Sequence, residues 1–292
     1  MTTARIRVLR PAKRPGFRTA LRADAVLTVA GAVLLVLIVL AAASVLTGFA
    51  GSTSATVGPR FQPPSAAWPL GTDNLGRSLL PRLLEGVWTT LLLSLIAVVV
   101  SGTISTILGM VSGYSSGAAN EAVMRVVDVL YAFPALVLAI LVSAIIGPGR
   151  VAAIVSIVII TIPLMTRMVR IATKQIASRD FVLSARISGL RTPHVFVRHL
   201  LPNIAGTIAV QASYALSVAI LVEGGLSFLG FGVQVPEASL GLLIQQGMLY
   251  MTKAPWLLLA PGIVLVVAIL SVNLIGDSLR DAFEPRETRS LS

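Results

Sequence analysis

Six stretches of this chain stay apolar for long enough to cross a lipid bilayer, and that property decides what it can fold into. They cover residues 25–47, 87–112, 122–146, 151–169, 204–228 and 256–275. A helix rises ~1.5 Å per residue and a hydrocarbon core is ~30 Å thick, so about 20 apolar residues suffice for one crossing. Across all 292 residues, 55% are apolar and only 12% charged, far from the balance of a water-soluble domain. The expected fold is an all-α integral membrane protein with six transmembrane helices. The first run is 23 residues long, whereas the apolar part of a cleaved signal peptide spans only about 7–15. It reads as a retained first span behind a basic tail, residues 1–24.

The positions of the basic residues orient these spans. Seven of the 23 lysines and arginines lie in the first tail, from Arg5 to Arg22. With that tail inside, Arg125, Arg167, Arg170, Lys174, Arg179, Arg186, Arg191, Arg198, Arg280, Arg286 and Arg289 also fall inside. Only Arg60, Arg77, Arg82, Arg150 and Lys253 are left outside. Basic residues gather on the cytoplasmic side of membrane proteins, so both termini are expected there. The chain then divides into the tail 1–24, a first transmembrane helix 25–47 and an extracytoplasmic segment 48–86. A five-helix core, 87–279, contains a cytoplasmic loop at 173–203, and a cytoplasmic tail covers 280–292. The net charge of +11 does not point to nucleic acid, because the basic residues are interleaved with the spans rather than gathered on a soluble face. Lipid is the implied surrounding.

The residues exclude several kinds of chemistry. There is no cysteine, so neither a disulfide framework nor a thiolate metal site is available. Lys13, Lys174 and Lys253 are the three lysines, and none follows a glycine. A phosphate-binding Gly-x-x-x-x-Gly-Lys loop is therefore ruled out, and any ATP that drives this protein sits on another chain. His194 and His199 lack the carboxylate or histidine neighbours of a metal site, and no Gly-x-Ser-x-Gly nucleophile elbow occurs. The chain carries no recognisable catalytic set.

The longest polar interlude in the C-terminal two-thirds is 180–203. Residues 181–188 read as a short amphipathic helix that Gly189 can end in the left-handed conformation. Thr192 can cap a second short helix with Pro193 in its first turn, and Pro202 is expected to close it before the next apolar run. The result is a compact basic knob. Between the fifth and sixth runs, Leu242, Leu243, Gln246, Met248, Leu249 and Tyr250 suggest a further short helix at the outer surface, either capping a pore mouth or padding the interface.

Ionisable groups inside spans are costly and therefore informative. Asp128 lies one turn from Arg125, which suggests a local pair at the membrane edge. Glu223 sits late in the fifth run, where it can contact cargo, pair with a second chain or serve as a hydrogen-bonded structural acid. Asn273 is expected to bond across helices. Ser101, Ser105, Gly109 and Gly113 form a small-residue stripe along one helix face, a signal for close packing within or between subunits. Pro134 and Pro163 interrupt two runs and can kink them.

The knob resembles the cytoplasmic loop of bacterial ABC-importer permeases, in which Glu-Ala-Ala is followed by Gly and, further on, by Leu-Pro. Ala185, Arg186, Gly189, Leu201, Pro202 and Asn203 fall in register, while Leu183 and Ser184 replace the Glu and first Ala. Other stretches are similar to the C-type permease subunit of the dipeptide, oligopeptide and nickel importers. These are Leu70-Gly-Thr-Asp-Asn-Leu-Gly-Arg77, Arg125-Val-Val-Asp-Val-Leu-Tyr-Ala-Phe-Pro134, Glu223-Gly-Gly-Leu-Ser-Phe-Leu-Gly230 and Asn273-Leu-Ile-Gly-Asp-Ser-Leu-Arg-Asp281. Ser78 stands where an acidic residue is common.

The resemblance implies a type I importer permease that moves short peptides, or alternatively nickel or another small solute, across the bacterial cytoplasmic membrane by alternating access. It implies a second homologous permease, two ATP-binding cassette subunits holding ATP and magnesium, and an extracytoplasmic binding protein. ATPase coupling is then expected from Ala185, Arg186, Gly189, Leu190, Arg191, Phe196, Arg198, His199 and Pro202. Glu223, Asp128 and Asn273 become candidates for the translocation path or the inter-permease contact. An ATP-independent secondary transporter, the rival class, often shows inverted repeats and mid-span charges. No repeat is evident here, and mid-span charge is scarce.

Overall fold

The computed structural model describes residues 25–49, 55–115 and 117–283. The basic tail 1–24, residues 284–292 of the second tail and residues 50–54 lie outside the described residues. In chain order the helices are α1 (Ala25–Leu46), α2 (Leu79–Tyr114), α3 (Ala118–Tyr131), α4 (Ala135–Ile146) and α5 (Arg150–Ala177). They continue with α6 (Asp180–Ile187), α7 (Thr192–Val195), a π-turn (Phe196–Leu200), α8 (Leu201–Phe228), α9 (Leu240–Met248) and α10 (Trp256–Phe283). Five are long and apolar enough to cross a membrane, counting the run Thr192–Phe228 as one, and the bent pair α3–α4 is a sixth candidate. Large apolar side chains such as Leu35, Val99, Ile145, Leu221 and Ile263 point outward from these helices. A water-soluble surface does not carry apolar area on that scale, whereas hydrocarbon favours it.

The run 122–146 is not one continuous helix, as the sequence alone suggested. It breaks between Tyr131 and Ala135, and the two pieces meet at 94°. Pro134 supplies no N–H and disfavours the α conformation at Phe133, so the hydrogen-bond ladder stops one residue past Tyr131. Pro163 has a milder effect and sits inside the unbroken α5.

α2 and α5 form the main seam, and the small-residue stripe is its zipper. A Cβ added at Gly109 would lie 2.6 Å from the Cβ of Val169, and one at Gly113 would lie 2.7 Å from the carbonyl oxygen of Arg170. The Ser105 hydroxyl donates to the carbonyl of Ile162 at 3.3 Å. The stripe therefore works within this chain. Its neighbourhood is rich in small buried residues, among them Ala97, Ala139, Ala215 and Ala219, which let α2, α4, α5 and α8 approach closely.

At the end remote from the knob, the Pro69–Ser78 stretch folds into a turn around Asp73. Its carboxylate accepts hydrogen bonds from the backbone N–H groups of Leu75 and Arg77 at 2.8 and 2.9 Å. It also pairs with the guanidinium groups of Arg77 at 2.6 Å and Arg82 at 2.9 Å. Arg82 is buried on α2 and donates onward to the side-chain oxygen of Gln246 at 3.0 Å. The short helix expected between the fifth and sixth runs is present as α9, with Met248 and Leu249 exposed and its first turn set into the bundle. Leu240, Leu242 and Leu243 are buried, and α9 is wedged among α2, α8 and α10. Glycine makes this possible, because a Cβ at Gly241 would fall 2.1 Å from the carbonyl oxygen of Gly224.

Candidate functional site

The knob is built by a Schellman turn. The N–H of Leu190 donates to the carbonyl of Ala185 at 3.2 Å, and that of Gly189 donates to Arg186 at 3.0 Å, the paired bonds that end α6. Gly189 has φ +78° with nothing within 4 Å of where a Cβ would sit. Its role is conformational rather than steric. α7 then begins at Thr192, with Arg191 rather than Thr192 at the cap and no side-chain cap bond.

Pro202 does not close the second short helix, contrary to the sequence expectation. It lies in the first turn of α8, and helix runs on from Thr192 to Phe228. The π-turn Phe196–Leu200 absorbs the proline: the N–H of Leu201 reaches back to Phe196, one residue further than in an α-helix. The side-chain amide of Asn203 donates to the carbonyl of His199 at 2.6 Å. That bond satisfies an acceptor in the turn preceding Pro202.

The nine residues singled out in the knob divide by environment. Ala185 is buried, while Val182, Val195 and Leu200 seat the knob on Met110, Val169 and Ile204 of α2, α5 and α8. Phe196 packs edge-on against Tyr114, ring centroids 5.2 Å apart, and the Arg186 guanidinium lies 5.1 Å from the same ring. His199 lies beside Phe181 at 6.3 Å. Leu190, Arg191, Arg198 and Pro202 are exposed. Exposed apolar residues adjoin them: Phe181, Leu183, Val197 and Ile187, the last 88% accessible. Leu183, which departs from the resembling pattern, thus belongs to an apolar ridge bordered by arginines.

Glu223 lies at a second junction. It is fully buried and accepts from the hydroxyls of Thr90 and Ser227, each at 2.7 Å. Each hydroxyl in turn accepts a backbone N–H, from Leu240 at 3.1 Å and Val233 at 3.0 Å. One carboxylate thereby ties α2, α8 and the start of α9 together. Sequence reasoning singled out the acid but not its partners, since Thr90 is an ordinary residue in an apolar run.

Asp128 pairs with Arg167 of α5 at 2.5 Å, not with Arg125 as expected. α3 packs on α5, which brings Asp128 to the arginine of the neighbouring helix. Asn273 is half-buried on α10, and its side chain makes no hydrogen bond to another described residue. A groove of about 590 Å³ runs between α2 and α8, past Val99, Gly102, Met110, Ile208 and Leu216. The hydroxyls of Thr103 and Ser213 on its rim turn back to their own helices, onto Val99 and Ala209, so its walls are apolar. Among the described residues no group of three or more His, Cys, Asp or Glu is placed to hold a metal ion.

The fold matches that of a known transport protein. In solved structures of the MetNI methionine ABC transporter in inward-facing conformations, one chain superposes with a TM-score of 0.58 at 20% identity, covering 69% of this chain and 96% of that one. The overall architecture is thus that of a type I ABC-importer permease. Residues 105–289 match the model of the binding-protein-dependent transport system inner membrane component family. A putative peptide transport system permease protein of Brucella suis is 39% identical over 257 residues, 88% of this chain and 86% of the relative. The di/tripeptide transport system permease protein DppC of Pseudomonas aeruginosa is 38% identical over 74% of this chain and 72% of its own length. The oligopeptide transport system permease protein OppC of Mycobacterium bovis is 37% identical over 79% of this chain and 80% of its own. The chain belongs to the family of binding-protein-dependent transport system inner membrane components, the membrane-spanning permeases of ABC importers.

Proposed function

We propose that this chain is one permease of an ATP-driven importer of short peptides in the bacterial cytoplasmic membrane. Its relatives carry peptide, di/tripeptide and oligopeptide transport names, and they support peptide as the cargo class. It works with a second homologous permease, two ATP-binding cassette subunits and an extracytoplasmic binding protein. ATP and magnesium bind the cassette subunits, and this chain supplies no catalytic residue.

The observation that carries the reading is the way the knob is joined to the bundle. Its exposed ridge (Phe181, Leu183, Ile187, Val197) and its arginines offer a docking face, while Val182, Val195 and Leu200 lock it to three helices. A push on the ridge is therefore delivered to α5 and α8 rather than lost in a slack loop. Closure of the cassette dimer would tilt those helices and shift the permease pair between inward-facing and outward-facing states. Both termini and the knob lie in the cytoplasm on this reading, as the distribution of basic residues supports.

The test is reconstitution of the complete complex in proteoliposomes with its binding protein and a labelled di- or tripeptide. ATP-dependent peptide accumulation is expected. Accumulation that continues with the cassette subunits omitted, or reaction of residues in 180–203 with a membrane-impermeant label from outside intact cells, would overturn it.

A further inference from the structure

α5 is tied to the two halves of its broken neighbour by bonds of opposite character. Toward α4 the ties are dry. The Ser156 hydroxyl donates to the carbonyl of Ala139 at 3.0 Å and lies 3.0 Å from the Ser143 hydroxyl, all of it fully buried. Toward α3 the ties are charged and wet. Arg167 pairs with Asp128, their side chains 33% and 57% exposed, and the Arg167 guanidinium covers the Tyr131 ring at 4.2 Å. Arg170 donates to the side-chain oxygen of Asn120 at 3.1 Å.

Between the two regimes lies the 94° bend. Every residue from Tyr131 to Val137 is exposed, so no side chain at the bend is locked into a buried core. α3 itself buries one described residue fully, Val127. Arg167 also lies on the helix that feeds the knob. Ten residues separate it from Ala177 at the end of α5, about 15 Å at helical rise, and the N–H of Arg179 then closes the turn into α6 on the carbonyl of Ile176 at 3.0 Å.

We propose that α3 is a hinged flap, swinging about Ala132–Pro134, and that Arg167 is the positioning residue that holds it against α5 in one state and releases it in the other. The inference rests on the importer reading above. The physical logic is a division of labour: α4 and α5 move as one body, because parting them would strand buried hydroxyls and carbonyls. Parting α3 from α5 costs less, because the Arg167–Asp128 pair is already partly exposed and exposed ion pairs of this kind are weak enough to exchange. When the knob shifts the end of α5, the flap is where the bundle yields.

The test uses the assembled importer in proteoliposomes. The chain has no cysteine, so spin labels can be placed at Val126→Cys on α3 and Ile171→Cys on α5, both exposed sites. The expected result is a change in label separation between the nucleotide-free state and the vanadate-trapped ATP state. In Arg167→Ala the resting distribution should already be broad, with peptide uptake down at least about threefold, the scale on which coupling residues act, and ATP hydrolysis retained. The charge exchange Asp128→Arg with Arg167→Asp should recover most of the uptake that either single change loses. An unchanged label separation in a wild-type complex that does transport would overturn the flap alone. So would an exchange variant no better than the single variants, or an Arg167→Ala complex that fails to assemble, since the tie would then be structural. A wild-type complex without ATP-driven uptake would instead remove the importer reading and the flap with it.

Discussion

The Glu223 carboxylate and the Thr90 hydroxyl meet at 2.7 Å inside the bundle, although 133 residues separate them in sequence. The hydroxyl is spoken for on both sides, accepting the Leu240 N–H while donating to the acid. Ser227 repeats the arrangement with Val233. Each carboxyl oxygen of Glu223 thus has its own hydroxyl partner.

Glu223→Gln replaces one acceptor with an amide donor and leaves one hydroxyl relay without an end. A buried polar group left unmatched costs ~1–3 kcal/mol. The expected outcome is a lower melting temperature of the purified complex, with uptake falling because less complex survives. Thr90→Val should behave alike. Unchanged thermal stability and complex yield in Glu223→Gln would show that the acid does not hold the junction.

Two turns nearer the start of α2, Arg82→Leu should be more damaging than Arg77→Leu. Arg82 is buried against Asp73 and bonded to Gln246, and breaking a buried pair from one side costs ~3–5 kcal/mol. Arg77 is one of several donors to Asp73 from its own turn. Limited proteolysis of the segment preceding α2 gives the ranking, with Arg82→Leu cleaved faster than Arg77→Leu.

The seam between α2 and α5 predicts a contrast among glycines of one helix. Gly109→Leu forces its first side-chain carbon against Val169, and Gly113→Val forces its own against the Arg170 carbonyl. Overpacking of this kind costs ~1–3 kcal/mol or more. Gly102→Ala meets only the Met165 terminal carbon at 3.5 Å, an ordinary contact, and should be tolerated. Thermal unfolding of the three variants in detergent checks the order.

In the knob, Gly189→Ala should cost ~1–2 kcal/mol, because its backbone is left-handed, and should weaken coupling. Gly189→Pro cannot adopt φ +78° and loses the bond to Arg186, so the turn should be lost. Arg186→Glu removes the cation from the face of Tyr114 and reverses a charge on the docking surface. Membrane insertion should survive all three changes. Peptide transported per ATP hydrolysed should fall, most for Gly189→Pro, and a wild-type ratio in that variant would refute the coupling assignment.

The spans were legible because hydrocarbon imposes length and apolarity directly on the sequence, and the knob because Gly189 and the two flanking polar segments act locally. What escaped depends on distant partners. The right angle at Phe133–Pro134 was hidden by an apolar run that continues on both sides of it, although the change from Asn120, Glu121, Arg125 and Asp128 to unbroken apolar residues marks the spot. Asp128 had a partner one turn away in sequence, and the packing of α3 on α5 supplied another. Pro202 looked like a terminator by local rules, but the π-turn before it removed the need for its missing N–H. The burial of Leu242 and Leu243 was hidden because the notches that Gly241 and Gly247 leave in α9, filled by the Gly224 and Leu257 backbones, become visible only in three dimensions.

The helix that begins in the knob at Thr192 and reaches Phe228 is 37 residues long, about 55 Å at helical rise, with Glu223 five residues from its far end. A rod of that length behaves as a lever arm: a tilt of a few degrees at the π-turn displaces the opposite tip by several ångströms. Because that tip is bolted to α2 and α9 through hydroxyls and a carboxylate, any tilt imposed at the knob end is shared by three helices at the far end.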